Sequence, residues 1–436
     1  MAAGILTRRS LIGSAAASLC LGVARAQPAT TAAGLAARAP IHDADAFIDS
    51  VGVNVHLSSE PYASRFEFVT RLFEKSGIRH FRDELRPSND LSRPRELFER
   101  LAVRGHLLVS PVTNSQAEMM DYIAALGKEK LSAIEGQNEG DHDWFKAQKA
   151  SKGNWSKTVC DYQRATYETL RASYSAAELP IVSPTVLDYK PQDMLLLRPA
   201  AAYCDIAAIH SYAQNGQEPE TEEDYAALSW YLRQIRDAFK PGAPVMATEA
   251  GYNNSRAKKA AVPEAIAAIY IVRLLLNNFA AGVTRTFLYE LLDGPNLREW
   301  EDNWGLVRYD GTWKPAFTAI AALLDALTAD RRPDPLRERR ISLNLQEAPP
   351  DARLLQFRRS DGVGVIVAWR SARCFDPSLL SEIEVAPRPF VFRAEHPVPQ
   401  TVSTAVPNDG GRWAEVPIKT RQLEIPIGAK ATLIRF

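Results

Sequence analysis

Short apolar runs alternate with longer amphipathic runs along most of this chain, and this alternation constrains the fold more than any other feature. Eight strand-like runs lie at 51–56, 77–83, 107–112, 131–136, 180–182, 205–210, 244–248 and 284–289. Strands separated by helical segments predict parallel βα units. Eight units over about 280 residues match the size of a closed (β/α)8 TIM barrel. An open doubly wound sheet is less consistent, because no Gly-rich phosphate turn follows an early strand.

The last quarter of the chain has a different pattern, without long helical periods. A polar, Pro-rich break at 331–335 precedes two strand-like runs, 352–358 and 363–369, that flank a Ser-Asp-Gly turn. This arrangement predicts a hairpin. Further strand-like runs lie at 422–427 and 431–436. We expect a small C-terminal β-sandwich, completed by a strand near 41–49.

The amino terminus resembles an export signal. A twin-arginine pair, Arg8-Arg9, precedes an apolar run at 11–23 and a small-x-small cleavage site that ends at Ala26. An ordinary secretory signal and an uncleaved anchor are the alternatives. We therefore expect a periplasmic or secreted protein whose mature form has no membrane span. The predicted organisation is a signal peptide at 1–26, a flexible lead-in at 27–40, the barrel at 41–330 and the β-sandwich at 335–436.

Charge and cysteine content exclude several classes of partner and site. Lys+Arg and Asp+Glu both total 52, so no basic excess suggests nucleic acid or an anionic membrane. A neutral partner fits this balance better than a polyanion. Outside the signal only Cys160, Cys204 and Cys374 remain, without CxxC spacing, which argues against a disulfide framework or a zinc knuckle. The sequence leaves the oligomeric state open.

Two glutamates at strand ends are the strongest candidates for chemistry. Functional residues of such barrels lie at the carboxyl ends of the strands, and Glu139 and Glu249 end the fourth and seventh strands. Paired carboxylates are what glycosidic cleavage requires: one protonates the leaving oxygen, and the other attacks the anomeric carbon or activates water. The acid needs a raised pKa. Arg82 could lower the pKa of Glu249, and Tyr212 could hydrogen-bond it.

Three segments resemble motifs of the clan A glycoside hydrolases, and the similarity extends in order and spacing over about 50–330. They are Glu-Gly-Gln-Asn-Glu-Gly-Asp at 135–141, Thr-Glu-Ala-Gly-Tyr at 248–252, and Asn-Trp-Gly-Leu followed by Asp-Gly-Thr-Trp-Lys-Pro-Ala at 303–316. Family 39 and family 5-like enzymes are the most similar. The resemblance implies that Glu139 is the acid/base, Glu249 the nucleophile and Asn138 a ligand of the sugar 2-hydroxyl, with retention of configuration and no cofactor. The clan often has Trp at the end of strand eight, where this chain has Tyr289-Glu290.

Several other polar and aromatic side chains are candidate sugar contacts. His56 and His210 could hydrogen-bond sugar hydroxyls or be satisfied structural residues. A metal site is disfavoured, because strand one lacks the His-x-His of metal-dependent barrels. Trp144 and Trp304 could stack on the C–H faces of a sugar, the alternative for Trp144 being core packing. For Glu135 and Glu290, structural pairing is favoured over catalysis.

These features together predict a retaining glycosidase that acts on a β-linked oligo- or polysaccharide outside the cytoplasm. Its expected sugar-binding residues are Asn138, Arg82, His56, His210, Tyr212, Tyr289, Trp144 and Trp304. Two alternatives stay open. One is a non-catalytic carbohydrate-binding or matrix protein on a degenerate barrel, against which the two glutamates argue. The other is a transglycosylase, which would use the same residues.

Overall fold

The computed structural model describes residues 40–86, 90–151, 153–213, 216–221, 227–255, 261–329, 343–395 and 401–436. The predicted signal peptide and nearly all of the predicted lead-in lie outside these ranges. Within them, no helix is both long enough and apolar enough to cross a membrane. Cys160, Cys204 and Cys374 are buried and free.

Eight parallel strands form the predicted barrel. They are β2 Val51–Asn54, β3 His80–Glu84, β4 Arg104–Leu108, β5 Leu131–Glu135, β6 Ile181–Val182, β7 Ala207–His210, β8 Val245–Ala250 and β9 Val283–Leu288. The sheet runs in the order β6-β5-β4-β3-β2-β9-β8-β7, and a parallel bridge between Val182 and Ile206 joins its two edges. All five residues of β5 are buried, as expected for a strand covered on both faces.

The prediction for the third barrel strand was wrong in its position. The run 107–112 was expected to form it, whereas β4 begins at Arg104 and ends at Leu108. Pro111 explains the early end, because proline has no N–H to donate to the next strand. Val109 still donates its N–H to the carbonyl of Glu135, at 2.9 Å, before the chain turns away.

Helices surround the barrel. They are α1 Ala44–Asp49, α2 Phe66–Ser76, α3 Ser92–Arg100, α4 Gln116–Leu126, α5 Asp143–Lys146, α6 Trp155–Arg171, α7 Pro191–Leu197, α8 Leu228–Gln234, α9 Glu264–Ala280 and α10 Pro315–Leu327. Their ends follow local chemistry. Ser115 and Glu118 form a reciprocal capping box at the start of α4, and α10 begins with a proline. A π-helical turn, Ile235–Phe239, continues α8.

The C-terminal strands form the predicted β-sandwich. They are β10 Leu343–Glu347, β11 Ala352–Arg358, β12 Gly364–Arg370, β13 Phe375–Asp376, β14 Ser381–Glu382, β15 Arg388–Ala394, β16 Thr401–Ala405, β17 Ala414–Pro417, β18 Gln422–Ile427 and β19 Thr432–Arg435. With β1, Ile41–Asp43, at one edge, the larger sheet has the order β1-β11-β12-β19-β16-β17, and β10-β15-β18 is the other layer. Phe390, Phe392 and Ile366 belong to the apolar core between them. The fold class predicted from the sequence is confirmed.

One strand of the sandwich comes from before the barrel. Strand β1, Ile41–Asp43, pairs in parallel with β11 at the edge of the larger sheet. The predicted strand near 41–49 is therefore shorter than expected, because Asp43 caps α1 by accepting the N–H of Asp45 at 2.9 Å. An aspartate at this position favours the start of a helix over the continuation of a strand.

A buried ion pair lies where the barrel meets the sandwich. Arg273 of α9 is fully buried and donates through Nε to Glu220 at 2.9 Å. The indole N–H of Trp369, on β12, donates to the same carboxylate at 2.7 Å. Arg273 also reaches the carbonyl of Ala372 at 2.9 Å. The loop after β7, which contains Glu220, is therefore bonded to both parts of the molecule.

Candidate active site

A cavity of about 650 Å³ opens at the carboxyl ends of the barrel strands. Its walls include all of the predicted sugar-binding residues except His210, together with Glu139 and Glu249. The position follows from the fold, because parallel strands of a barrel direct their carboxyl ends and following loops to one face. The strand-end residues that the sequence singled out are therefore brought together by the structure.

The two candidate catalytic glutamates lie close together around a buried histidine. One carboxylate oxygen of Glu139, one of Glu249 and one imidazole nitrogen of His210 are all within 4.8 Å of one another. Nδ1 of His210 lies 2.8 Å from Oε1 of Glu139 and 3.6 Å from Oε2 of Glu249. His210 is buried, and does not line the cavity. It therefore contacts the acids from behind.

Arg82 connects Glu249 to the rest of the cavity floor. Its Nη1 donates to Oε1 of Glu249 at 3.0 Å and to Oδ1 of Asn54 at 2.8 Å. Its Nη2 donates to Oδ1 of Asn138 at 2.8 Å, and its Nε donates to Glu135 at 2.7 Å. Arg82 is 4% exposed, so these charge-assisted bonds are shielded from water. Arg82 thus orients a glutamate and a candidate sugar ligand at the same time.

Glu135 lies beneath Arg82 and is completely buried. It accepts from Nε and Nη2 of Arg82, and His106 Nε2 is 2.7 Å away. Burial raises the pKa of Glu135, but Arg82 and the bond from His106 outweigh it and bring that pKa to about 2. Glu135 is therefore a structural anion that neutralises Arg82, as the sequence favoured.

Tyr212 is the second hydrogen-bond donor to Glu249. Its hydroxyl donates to Oε2 of Glu249 at 2.8 Å, as anticipated from the sequence. Burial, followed by the negative charge of Glu249, raises the pKa of Tyr212 well above its usual range. The phenol therefore stays protonated and donates a hydrogen bond to the carboxylate. Arg82 and Tyr212 thus each bond one oxygen of Glu249.

The pKa of Glu139 differs from the sequence-based expectation. An acid catalyst was expected to have a raised pKa. Burial does act in that direction, but the hydrogen bond and positive charge of His210 outweigh it, and the pKa of Glu139 is lowered. Burial lowers the pKa of His210, but Glu249 and Glu139 reverse this effect and raise it. Glu139 and His210 therefore share a proton between them.

Glu290, at the end of β9, is paired with a tyrosine that the sequence did not reveal. Tyr62 donates its hydroxyl to Oε2 of Glu290 at 2.7 Å and accepts the N–H of Leu292 at 2.9 Å. His56 Nε2 lies 3.4 Å from the same oxygen. Burial, with added negative charge from Asp293 and other acids, raises the pKa of Glu290 to about 8. Glu290 is therefore neutral at pH 7.

Aromatic rings form one wall of the cavity. Trp304 contacts Tyr212 at a centroid distance of 5.0 Å, Trp300 at 5.6 Å and Tyr289 at 6.2 Å. All four rings line the cavity. The sequence identified Trp304, Tyr212 and Tyr289 but missed Trp300, which had no signal beyond its nearness in the chain to Trp304. Tyr289, which the sequence placed at the end of strand eight, lies in this wall.

Among the residues that the structure describes, Glu139, His210 and Glu249 form the one group with the spacing of a metal site. The three side chains already contact one another, with Nδ1 of His210 2.8 Å from Oε1 of Glu139. Two carboxylates raise the pKa of His210, and a metal would have to displace the proton that this histidine shares with Glu139. Arg82 and Tyr212 already bond both oxygens of Glu249.

Structural comparison links this architecture to glycoside hydrolases. A family 39 glycoside hydrolase from the gut symbiont Bacteroides cellulosilyticus WH2 matches with a TM-score of 0.59 and 15% identity, over 91% of this chain and 82% of that one. A glucosidase from Croceicoccus marinus matches with a TM-score of 0.56 and 10% identity, over 84% and 91%. No family model and no curated protein matches the sequence. The clan A resemblance is thus confirmed at the level of the fold.

Proposed function

We propose that this protein is a retaining glycosidase that cleaves β-O-glycosidic bonds by double displacement. The observation that carries the proposal is the close approach of Glu139 and Glu249, whose nearest oxygens lie within 4.8 Å in the mouth of the barrel. Retaining enzymes separate their two carboxyl groups by about 5–5.5 Å, and inverting enzymes by roughly 6.5–9.5 Å to admit a water molecule. The short distance supports retention.

In the first half-reaction, Glu249 attacks the anomeric carbon while Glu139 protonates the departing glycosidic oxygen. Arg82 and Tyr212 each donate a hydrogen bond to one oxygen of Glu249 and fix its orientation. The proton for the leaving group comes from the pair formed by Glu139 and His210, whose Oε1 and Nδ1 atoms lie 2.8 Å apart. The negative charge of Glu249 increases the affinity of that pair for its proton.

The second half-reaction follows from the loss of that charge. Once Glu249 is esterified, its carboxylate no longer stabilises a positive His210, and the pair binds its proton less tightly. Glu139, left as a carboxylate, then takes a proton from water as the water attacks the anomeric carbon. The same contacts thus let Glu139 act first as an acid and then as a base.

We assign sugar binding to the side chains that surround the two glutamates. Asn138, held by Arg82, is placed to bind the 2-hydroxyl. His56 and Tyr289 line the cavity near Glu290, and Trp304 offers a ring face to a sugar. The predicted signal peptide at 1–26 would deliver the enzyme outside the cytoplasm, where a saccharide substrate would be encountered.

The decisive experiment uses the chain without residues 1–26 and an activated aryl β-glycoside. Glu249→Ala should abolish turnover, and azide should restore it while yielding the α-glycosyl azide. Glu415→Ala, which removes an exposed carboxylate from the sandwich, should behave like the wild type. Proton NMR of the first product formed by the wild type should show the β-anomer. Full activity of Glu249→Ala, or a first-formed α-anomer, would contradict the proposal.

A non-catalytic carbohydrate-binding protein predicts a different result in the same experiment. Such a protein would bind saccharides with equal affinity before and after Glu249→Ala, and neither form would turn over any glycoside. The network around Glu249 favours an enzyme, because Arg82 and Tyr212 orient a carboxylate that simple sugar binding does not require.

A further inference from the structure

The loops after β5 and β6 are bonded to each other next to Glu139. The N–H of Glu139 donates to Oγ1 of Thr185 at 2.8 Å, and the N–H of Gly140 donates to the carbonyl of Thr185 at 3.1 Å. The N–H of Leu187 donates to Oδ1 of Asp141 at 2.7 Å. These three bonds join the two loops next to Glu139 into one surface, 139–144 and 185–188, which we call the ledge.

Two large apolar side chains are exposed on this ledge. Trp144 is 51% exposed and Leu187 is 45% exposed, and both line the cavity. His142 and Asp188 line it beside them. The place of Trp144 and Leu187 on the cavity is the informative feature, because exposed apolar surface that lines a cavity is typical of ligand-binding grooves.

The chemistry of the ledge suits a sugar ring. A sugar has apolar C–H faces and a polar edge of hydroxyls, so it matches an indole with hydrogen-bonding groups beside it. His142 Nδ1 accepts the N–H of Trp144 at 3.1 Å, and this bond fixes the imidazole against the ledge. The carboxylate of Asp188 can accept hydrogen bonds from hydroxyls.

The position of the ledge identifies the part of the substrate that it contacts. In the proposed reaction Glu139 protonates the leaving oxygen, so groups that extend outward from Glu139 face the leaving group. The loops that form the ledge follow β5 and β6, whereas Glu249 and Tyr289 belong to β8 and the end of β9 across the barrel. The aromatic wall of Tyr289 and Trp304 therefore faces the other side of the scissile bond.

We propose that Trp144, Leu187, His142 and Asp188 form a subsite for a sugar unit in the leaving group. The inference rests on the proposed glycosidase activity and deepens it. It makes the substrate an oligosaccharide or polysaccharide, as opposed to a glycoside of a small aglycone. A sugar acceptor bound on the same ledge would be placed to take the glycosyl group, as in the transglycosylase alternative.

The transfer step uses only groups already present. An acceptor hydroxyl oxygen attacks the anomeric carbon of the ester on Glu249, and the bond between that carbon and the carboxylate oxygen breaks. The hydroxyl proton passes to the carboxylate of Glu139. The products are a new glycoside and the free carboxylate of Glu249, so the enzyme returns to its starting state.

The test compares Trp144→Ala with Trp313→Ala on two substrates. Trp313 is a matched control, because it is 44% exposed and packs on Phe317 without lining the cavity. A β-glycosyl fluoride has no sugar in its leaving group, so Trp144→Ala should change its kcat/KM less than about twofold. For an oligosaccharide with the same glycone, kcat/KM should fall about tenfold, the loss of a stacking contact of about 1.4 kcal/mol. Trp313→Ala should match the wild type on both.

A second readout is the ratio of transfer to hydrolysis when a sugar acceptor is added. That ratio should fall in Trp144→Ala and in Leu187→Ser, and stay unchanged in Trp313→Ala. An unaltered kcat/KM on the oligosaccharide in Trp144→Ala would overturn the subsite while leaving the glycosidase proposal intact. If Trp144→Ala lost as much kcat/KM on a nitrophenyl glycoside as on the oligosaccharide, the ledge would bind aromatic leaving groups as well as sugars. That result would overturn its specificity for sugar. Absence of fluoride turnover by the wild type would overturn both proposals.

Discussion

His210 Nδ1 and Glu139 Oε1 are 2.8 Å apart, and the imidazole is almost completely shielded from solvent. This contact makes the proton affinity of Glu139 a property of the pair. It also explains why a carboxyl group that is largely buried has a lowered pKa when burial alone would raise it.

Replacing His210 by Asn should raise the pKa of Glu139. The substitution removes the bond and the charge that lower this pKa but leaves the burial that raises it. The pKa can be followed by carbon NMR of labelled glutamate carboxylates. Turnover of substrates with poor leaving groups should fall by about 10²-fold, since the pair of Glu139 and His210 that supplies the proton is then broken. His42→Asn, in β1, serves as the control, and an unchanged or lower pKa of Glu139 would refute the coupling.

Replacing Glu135 by Gln should destabilise the protein at neutral pH and flatten its acid denaturation. Its folded-state pKa of about 2 is below the ordinary value of 4.5, so the stability it contributes is present above pH 5 and lost as pH falls towards 2. The shift corresponds to roughly 3 kcal/mol. Urea unfolding of both proteins at several pH values measures it. Parallel pH dependences for the two proteins would contradict the prediction.

Replacing Glu290 by Gln should leave turnover at pH 7 within about threefold of the wild type, because the native carboxyl is neutral there. Its folded-state pKa of about 8 exceeds the ordinary value of 4.5. The stability that it contributes is therefore complete below about pH 4.5 and is lost as pH rises through 8. The variant should gain on the order of 3 kcal/mol relative to the wild type between pH 5 and pH 9. Equal urea-unfolding differences at both pH values would refute this.

Replacing Arg273 by Met should destabilise the protein by about 3–5 kcal/mol, because Glu220 is then left buried without its ionic partner. Trp369→Phe removes one donor to the same carboxylate and should cost about 1 kcal/mol. Adding Glu220→Gln to Arg273→Met should recover part of the loss. Urea unfolding of these three variants and of Glu220→Gln alone forms the test. Strict additivity of the two charge-removing substitutions would exclude the coupling.

The barrel could be predicted from the sequence because buried parallel strands appear there as short apolar runs. Strand β5 is apolar along most of its length, and the glutamates after β5 and on β8 occupy strand ends, where barrels place their chemistry. Strand β4 was misplaced because its apolar run continues past Leu108 into a segment interrupted by Pro111. The sequence favoured structural pairing for Glu135 but did not identify Arg82 as its partner.

What the sequence could not supply are contacts between distant elements. Tyr62 bonds Glu290 although 228 positions separate them, and no local pattern marks either residue as a partner of the other. Whether the pKa of Glu139 is raised or lowered depends on which atom of the His210 ring faces it. The sequence does not determine the rotation of that side chain. The signal peptide at 1–26 stays a prediction, since those residues lie outside the described structure.

Strand β1 pairs with β11, which is synthesised roughly three hundred residues later. Along the chain, the barrel therefore lies between two strands of one sheet. On the ribosome, Ile41–Asp43 emerges before the barrel yet has no partner strand until β11, Ala352–Arg358, follows. The nascent barrel therefore carries an unpaired leading edge throughout its synthesis. In ribosome-bound chains halted after α10, Ile41–Asp43 should be accessible to proteases and chaperones. Pairing with β11 in the released full chain should protect it.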